Sequence, residues 1–242
     1  MEIIKSVENK KIKKLAKLLI KKYRDEEDYF LVSGRHLVLE AYNNKMLLEV
    51  ITTEDSNISL DIPTTYVTYP VLKKLTTDKN PESIVGVVKK ISKNKLGNKV
   101  LILDDVQDPG NLGTIIRSSV AFNVDTIILS KNTVDLYNDK VLKATEGMIF
   151  NINIRKEDIL NYIDELKNKD YKIYGTNVDG GKVVQDLELD GKYAIIVGNE
   201  GKGVRKEILD KCDEYFYIPM NSTCESLNVG VATSIILYEL NK

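Results

Sequence analysis

The C-terminal stretch restricts the fold more than any other part of the chain. Tyr215-Phe216-Tyr217-Ile218 is a short aromatic and β-branched run that Pro219 halts. Met220 to Asn228 is mostly polar. Val229 to Leu240 is then too apolar for a surface helix, so the rest of the fold must cover it. The loop between strand and helix offers backbone N–H and C=O groups beside small polar side chains, an arrangement suited to a small-molecule ligand.

A length of 242 residues allows one large domain or two smaller ones. Hydrophobic residues at 43% and charged residues at 29% are those of a soluble globular protein. No apolar run approaches the roughly 20 residues of a membrane span. Met1-Glu2-Ile3-Ile4-Lys5 has no apolar signal region, so a cytoplasmic location and no membrane partner are expected. Cys212 and Cys224 are not spaced as a metal knuckle or a disulfide framework, which predicts free thiols and no metal.

The net charge of −1 gives no global nucleic-acid signal. Its distribution is uneven, however. Lys5, Lys10, Lys11, Lys13, Lys14, Lys17, Lys21, Lys22 and Arg24 crowd the N-terminal segment against a single Glu8, and Lys89, Lys90, Lys93, Lys95 and Lys99 form a second cluster. Local patches of this kind can bind phosphate backbones. The solvated face of a helix is the plainer alternative.

The three-and-four spacing of Ile12, Leu15, Ala16, Leu19 and Ile20 predicts one amphipathic helix over 7–24. Strands are expected at 29–32, 46–52, 65–69 and 84–88, with helices opening at Gly34 and Pro70. These compose a small α/β domain over 1–90. Residues 91–99, rich in lysine and carrying Ser92, Asn94, Gly97 and Asn98, read as a linker to a second domain at 100–242. There, expected strands (100–103, 125–130, 171–176, 193–197 and the C-terminal run) alternate with expected helices (112–122, 140–149, 156–168, 202–211). Alternation of this kind predicts a parallel sheet covered on both faces, with ligands at the carboxyl ends of its strands.

Three loops follow expected strands. In the first, Asp104 to Ser118, Pro109-Gly110 is turn chemistry, Asn111 can cap the next helix, and Arg117 can serve as a phosphate ligand. In the second, Gly198-Asn199-Glu200-Gly201-Lys202-Gly203, Gly198 permits close approach of a ligand to the backbone, and Glu200 suits a helix start. The third contains Pro219, Ser226 and Asn228, with Ser226 placed to cap the last helix. Each alone is compatible with a plain capped turn, and neither G-x-G-x-x-G nor G-x-x-x-x-G-K-[ST] is present.

Taken together, Asp108-Pro109-Gly110-Asn111-Leu112-Gly113-Thr114-Ile115-Ile116-Arg117, Val197-Gly198-Asn199-Glu200-Gly201-Lys202-Gly203, and Ile218-Pro219-Met220 with Glu225-Ser226-Leu227-Asn228-Val229 resemble the three signature motifs of the SpoU/TrmH RNA ribose 2′-O-methyltransferases of the SPOUT superfamily. Phe30 to Ala41 is similar to the small ribosomal-protein-like domain that precedes the catalytic domain in many members. Ser222 stands where many relatives have Gly, and Gly230 where many have Ser.

The resemblance implies an α/β fold whose C-terminal domain is a trefoil-knotted, mostly parallel sheet. It implies S-adenosylmethionine as methyl donor, held by Thr176, Gly198, Ile218, Met220 and Leu227. It also implies a homodimer and transfer to a ribose 2′-hydroxyl of structured RNA. Asn111, Arg117, Glu200, Ser226 and Asn228 would form the catalytic set. Arg35, Lys10, Lys13 and Lys14 would grip the RNA. The lone histidine, His36, reads as a helix-surface residue. Ribosomal RNA is the expected substrate. A tRNA enzyme, a non-catalytic RNA-binding protein with the same fold and a general nucleotide-binding α/β protein are the alternatives.

Overall fold

The structure is a computed structural model that describes residues 3–90, 95–178 and 180–241. Lys93, Ser92 and Asn94 of the expected linker and basic cluster lie outside the described residues. Two compact units emerge, one drawn from Met1–Ile91 and Tyr137–Phe150, the other from Ser92–Leu136 and Asn151–Lys242.

The first unit runs β1 (Ile3–Ile4), α1 (Lys10–Lys17), α2 (Lys21–Glu27), β2 (Tyr29–Ser33), α3 (Arg35–Asn43), β3 (Leu47–Thr52), β4 (Thr64–Val67), α4 (Tyr69–Lys73) and β5 (Ile84–Lys89). Its five strands are ordered β1-β4-β3-β5-β2, with β5 antiparallel to both neighbours. Ile12, Leu31, Ile51, Leu72 and Val85 lie in one core.

The single helix expected over 7–24 is two helices. The end of α1 tightens to bonds from Leu18 N to Leu15 O and from Ile20 N to Lys17 O. Ile20 then turns extended (φ −104°), and α2 restarts at Lys21. The buried Arg24 donates from Nη1 to the freed Leu18 carbonyl at 2.8 Å, satisfying a group that a broken helix leaves orphaned. Asp25, Glu26 and Glu27 continue α2 past the expected end at 24, and the helix is capped by Asp28 in the left-handed region (φ 60°).

Tyr137–Phe150, which falls within the stretch the sequence pattern assigns to the second domain, packs in this first unit. The Phe30 ring lies 4.5 Å from that of Tyr137 and 6.4 Å from that of Phe150. Lys143 pairs with Asp139 at 2.7 Å and also with Asp78, while Thr77 donates to Asp139 at 2.6 Å. The helix here, α6 (Asp139–Ala144), is shorter than the expected 140–149.

The second unit contains β6 (Lys99–Leu103), α5 (Pro109–Ala121), β7 (Thr126–Leu129), β8 (Asn153–Lys156), α7 (Ile159–Lys167), β9 (Lys172–Thr176), β10 (Lys182–Val183), β11 (Tyr193–Val197), α8 (Lys206–Leu209), β12 (Glu214–Tyr217) and α9 (Val229–Glu239). Seven strands order as β10-β12-β9-β11-β6-β7-β8, parallel at every pairing. β8 lies in a stretch assigned no element, meeting the expected 156–168 helix only at Lys156. Its Asn-Ile-Arg-Lys composition carries no apolar run, because it pairs with β7 alone at the sheet edge. Parallel pairing puts the carboxyl ends of β12, β9, β11 and β6 on one edge, so the loops after them share that edge.

Candidate active site

The segments that follow β9, β11 and β12 enclose a cleft of about 400 Å³. Thr176, Val178, Gly198, Ile218, Met220 and Leu227 line it, with Glu200 and Ser226 also on its wall. All five residues expected to hold the donor are therefore in one place. The volume is that of a small-molecule site, and its apolar sides with backbone-rich loops fit an adenosine-bearing ligand. A Cβ on Gly198 would come within 2.0 Å of the Gly203 carbonyl carbon and 2.1 Å of Val204 N, so this wall is built from bare backbone.

Beside the cleft, polar side chains from three loops form one chain of hydrogen bonds. Asn228 Nδ2 donates to Asn111 Oδ1 at 2.8 Å. Asn111 Nδ2 donates to Glu200 Oε1 at 3.0 Å. Glu200 also accepts from Asp108 N at 3.0 Å and Gln107 N at 3.2 Å. Burial alone would raise the Glu200 carboxyl. The Asp108 N–H, the Asn111 amide and the Gln107 N–H more than offset it and hold the group below its ordinary value, ionised. Glu200 thus sits against the N-terminal end of α5, where negative charge is favoured.

Three local expectations are corrected. The cap of α5 is Asp108, whose carboxylate accepts from Asn111 N at 2.8 Å, rather than Asn111. The cap of α9 is Asn228, whose Oδ1 accepts from Gly230 N at 2.9 Å and Val231 N at 3.2 Å, rather than Ser226. Glu200 starts no helix. The Asn199 side chain accepts from Gly201 N and Lys202 N, Gly203 is left-handed (φ 68°), and the expected 202–211 helix shrinks to Lys206–Leu209. Asn side-chain bonds compete with helix formation, and glycines add an entropic cost.

Arg117 lies two turns into α5, exposed, and makes no hydrogen bond or ion pair among the described residues. It is not joined to the Asn228–Asn111–Glu200 chain. Its helix packs on α9: Ser118 and Ser234 hydroxyls lie 2.7 Å apart, and a Cβ on Gly230 would meet Thr114 at 3.4 Å. A small residue at 230 therefore serves close helix approach.

The model of the SpoU rRNA Methylase family matches residues 98–238. The chain belongs to this family. The MRM3-like substrate binding domain matches residues 9–86. The chain is 37% identical over 247 residues to the 23S rRNA (guanosine(2553)-2′-O)-methyltransferase RlmP of Bacillus subtilis (strain 168), covering 99% of each chain. Among solved structures it is similar to the AdoMet-bound rRNA methyltransferase from Sinorhizobium meliloti, with TM-score 0.87, 26% identity and coverage of 99% and 97%. It shares the fold of the SpoU methyltransferase AviRb from Streptomyces viridochromogenes in complex with AdoMet, with TM-score 0.86, 21% identity and coverage of 96% and 97%. This SpoU-family chain is an RNA methyltransferase whose methyl donor is S-adenosylmethionine.

In the first unit, Lys10 and Arg35 are exposed. Lys13 pairs with Glu8, and Lys14 with Glu27 at 2.9 Å, so part of the N-terminal positive charge is neutralised locally. His36 is exposed on α3, with Nε2 3.2 Å from the Glu146 carbonyl. No helix among the described residues is long and apolar enough to cross a membrane. Sequence reasoning missed Gln107, whose N–H reaches Glu200 and whose Nε2 donates to Asn132 O at 2.6 Å. It also missed Arg205. Neither lies in a local pattern that marks it.

Proposed function

We propose the following division of labour for transfer of a methyl group to a ribose 2′-hydroxyl of ribosomal RNA. The cleft residues Thr176, Gly198, Ile218, Met220 and Leu227 hold the donor, which when bound supplies an electrophilic sulfonium methyl. A guanidinium is a hydrogen-bond donor with no acceptor, so the role given to Arg117 is that of a donor and not of a base. Its guanidinium holds an RNA phosphate and polarises the 2′-hydroxyl, so that the oxygen gains the methyl as the S–CH3 bond breaks to leave a neutral thioether and the hydroxyl proton passes to solvent water. Glu200, Asn111 and Asn228 orient the loops around the ribose, and Ser226 faces it from the cleft wall.

The observation that carries this reading is the continuous Asn228–Asn111–Glu200 chain at the mouth of the cleft, with an unpaired Arg117 on the same helix as Asn111. The first unit grips RNA through Lys10 and Arg35, with Lys13 and Lys14 released from their acidic partners on binding. Val231 (48% exposed) and Tyr238 (59% exposed) on the apolar α9 support a homodimer that uses this helix. The family fold also supports threading of the segment after β12 through the 198–205 loop as a trefoil knot, in a cytoplasmic protein.

The test is incubation of total RNA with radioactive donor and the protein, followed by mapping of the label. The expected product is one 2′-O-methylated ribose in ribosomal RNA. Label confined to tRNA would overturn the substrate assignment, and label on a base the chemistry.

A further inference from the structure

Asp104 follows the end of β6 and is completely buried. Its carboxylate meets Arg205, 101 positions later and just before α8. Arg205 N donates to Oδ2 at 2.9 Å, Nε to Oδ1 at 2.8 Å, and Nη2 lies 2.7 Å from Oδ1. Both carboxylate oxygens are thus engaged, one by main chain and one by the guanidinium fork.

The next residue extends the same attachment. Asp105 sits in the left-handed region (φ 61°), which is uncommon for non-glycine residues but among the better tolerated for Asp. Ser130 Oγ donates to its side chain at 2.6 Å and Asn132 Nδ2 at 3.1 Å, while its own N–H donates to Ser130 Oγ at 2.9 Å. In that conformation its carbonyl accepts from Asn199 Nδ2 at 2.8 Å. The glycine-rich loop is therefore tied to the end of β6 at both of its ends, at Asn199 and at Arg205. Between the ties, Asn199 and Gly203 exchange two backbone hydrogen bonds of 3.0 Å.

Asp104 is buried while the Arg205 side chain is 39% exposed, so the pair adds little net stability, but it fixes geometry, since breaking it strands the buried carboxylate. We propose that the Asp104–Arg205 pair is a positioning element. It locks the Gly198–Gly203 loop against β6 and so sets both the affinity of the cleft for S-adenosylmethionine and the placement of Glu200 beside Asn111. The proposal rests on the assignment of the cleft as the donor site.

The experiment compares the full-length wild type with Arg205→Ala and Arg205→Lys. Dissociation constants for S-adenosylmethionine come from calorimetry, amide exchange at Asn199 and Gly203 from the apoprotein, and Tm from melting. Arg205→Ala is expected to weaken donor binding about tenfold or more. Exchange should quicken at Gly203 while the central residues of β6 and β11 stay protected. Arg205→Lys, which keeps the charge and loses the fork, should fall between the two. Millimolar guanidinium should restore donor binding to Arg205→Ala, whereas equimolar sodium chloride should not.

Wild-type affinity in a folded Arg205→Ala would overturn the proposal. So would a loss of affinity accompanied by faster exchange throughout the sheet, which marks a general stabilising role. If Arg205→Ala fails to fold, wild-type affinity in Arg205→Lys is decisive against it. Failure of the donor-site assignment itself would appear differently: wild type would bind no donor, or binding would be indifferent to changes at Gly198.

Discussion

Asn228 Nδ2 donates to Asn111 Oδ1 across 2.8 Å, joining residues 117 positions apart. One amide side chain thereby does two jobs. Its oxygen caps α9 while its nitrogen fixes the rotamer of Asn111, which in turn donates to Glu200. The apolar C-terminal helix and the α5 loop are registered to each other through this pair.

Glu200→Gln should test that arrangement most directly. The substitution retains size but replaces a charged acceptor of four donors (Gln107 N, Asp108 N, Asn111 Nδ2 and Asn199 Nδ2) with a neutral amide. Charge-assisted bonds contribute about 1.5–3 kcal/mol, so kcat/KM should fall roughly 10–100-fold and Tm by several degrees. The pH response has a defined sign. The folded Glu200 carboxyl titrates below its ordinary 4.5, so its contribution is complete above pH 4.5 and is lost as pH falls through the folded value. A carbon-detected NMR titration of Glu200 should show the lowered midpoint, moved upward in Asn111→Ala. An unchanged midpoint in that variant would contradict the link.

Arg117→Ala should reduce methyl transfer by about 10²–10³-fold, the usual cost of removing one donor to developing negative charge. Donor affinity should stay within about twofold, because Arg117 is absent from the cleft lining. Single-turnover kinetics with calorimetry separates the two effects, and transfer at a near-wild-type rate would remove Arg117 from the reaction.

Gly198→Ala should weaken donor binding by about tenfold or more. The new methyl would collide with the Gly203 carbonyl carbon at 2.0 Å and Val204 N at 2.1 Å, and backbone cannot rotate away as a side chain can. Fluorescence or calorimetric titration of the donor provides the measurement, with Ser222→Gly, at an exposed loop position, as a control expected to bind normally.

The two thiols should differ sharply in reactivity. Burial pushes the Cys212 thiol up to about 12, and its Sγ contacts the Ile208 carbonyl at 3.4 Å. Cys224 is exposed in the loop that also carries Glu225, Ser226 and Leu227 of the cleft wall. Ellman's reagent at pH 8 should titrate Cys224 rapidly and Cys212 only after unfolding. Saturating S-adenosylhomocysteine should slow the rapid phase.

Phe30→Ala should cost about 3–5 kcal/mol in chemical denaturation. Phe30 is fully buried between the Tyr137 and Phe150 rings. An accompanying increase in proteolysis within Tyr137–Phe150 is expected, because that segment packs against the first unit.

The parallel sheet was legible because central strands such as Val100-Leu101-Ile102-Leu103 and Tyr193-Ala194-Ile195-Ile196-Val197 are buried on both faces and must be apolar throughout. That Gly198, Ile218, Met220 and Leu227 line one cleft agrees with the family resemblance of the motifs at the ends of β11 and β12. The edge strand β8 was not legible, since pairing on one side alone demands no apolar run. Nor was the break at Ile20, because the apolar spacing continues through it while the backbone turns.

By itself, then, the sequence determined the five inner strands of the seven-stranded sheet, because burial leaves an apolar local signature, while the edge strands β8 and β10 left none. Only the tertiary structure decided partners. Asn111 and Ser226 looked like caps and Glu200 like a helix start, yet Asp108 and Asn228 hold the caps and Glu200 binds Asn111. A polar side chain bonds to whatever the fold brings within about 3 Å. For Glu200, Asn228 and Arg205, those neighbours come from 89, 117 and 101 positions away, beyond the reach of any local pattern.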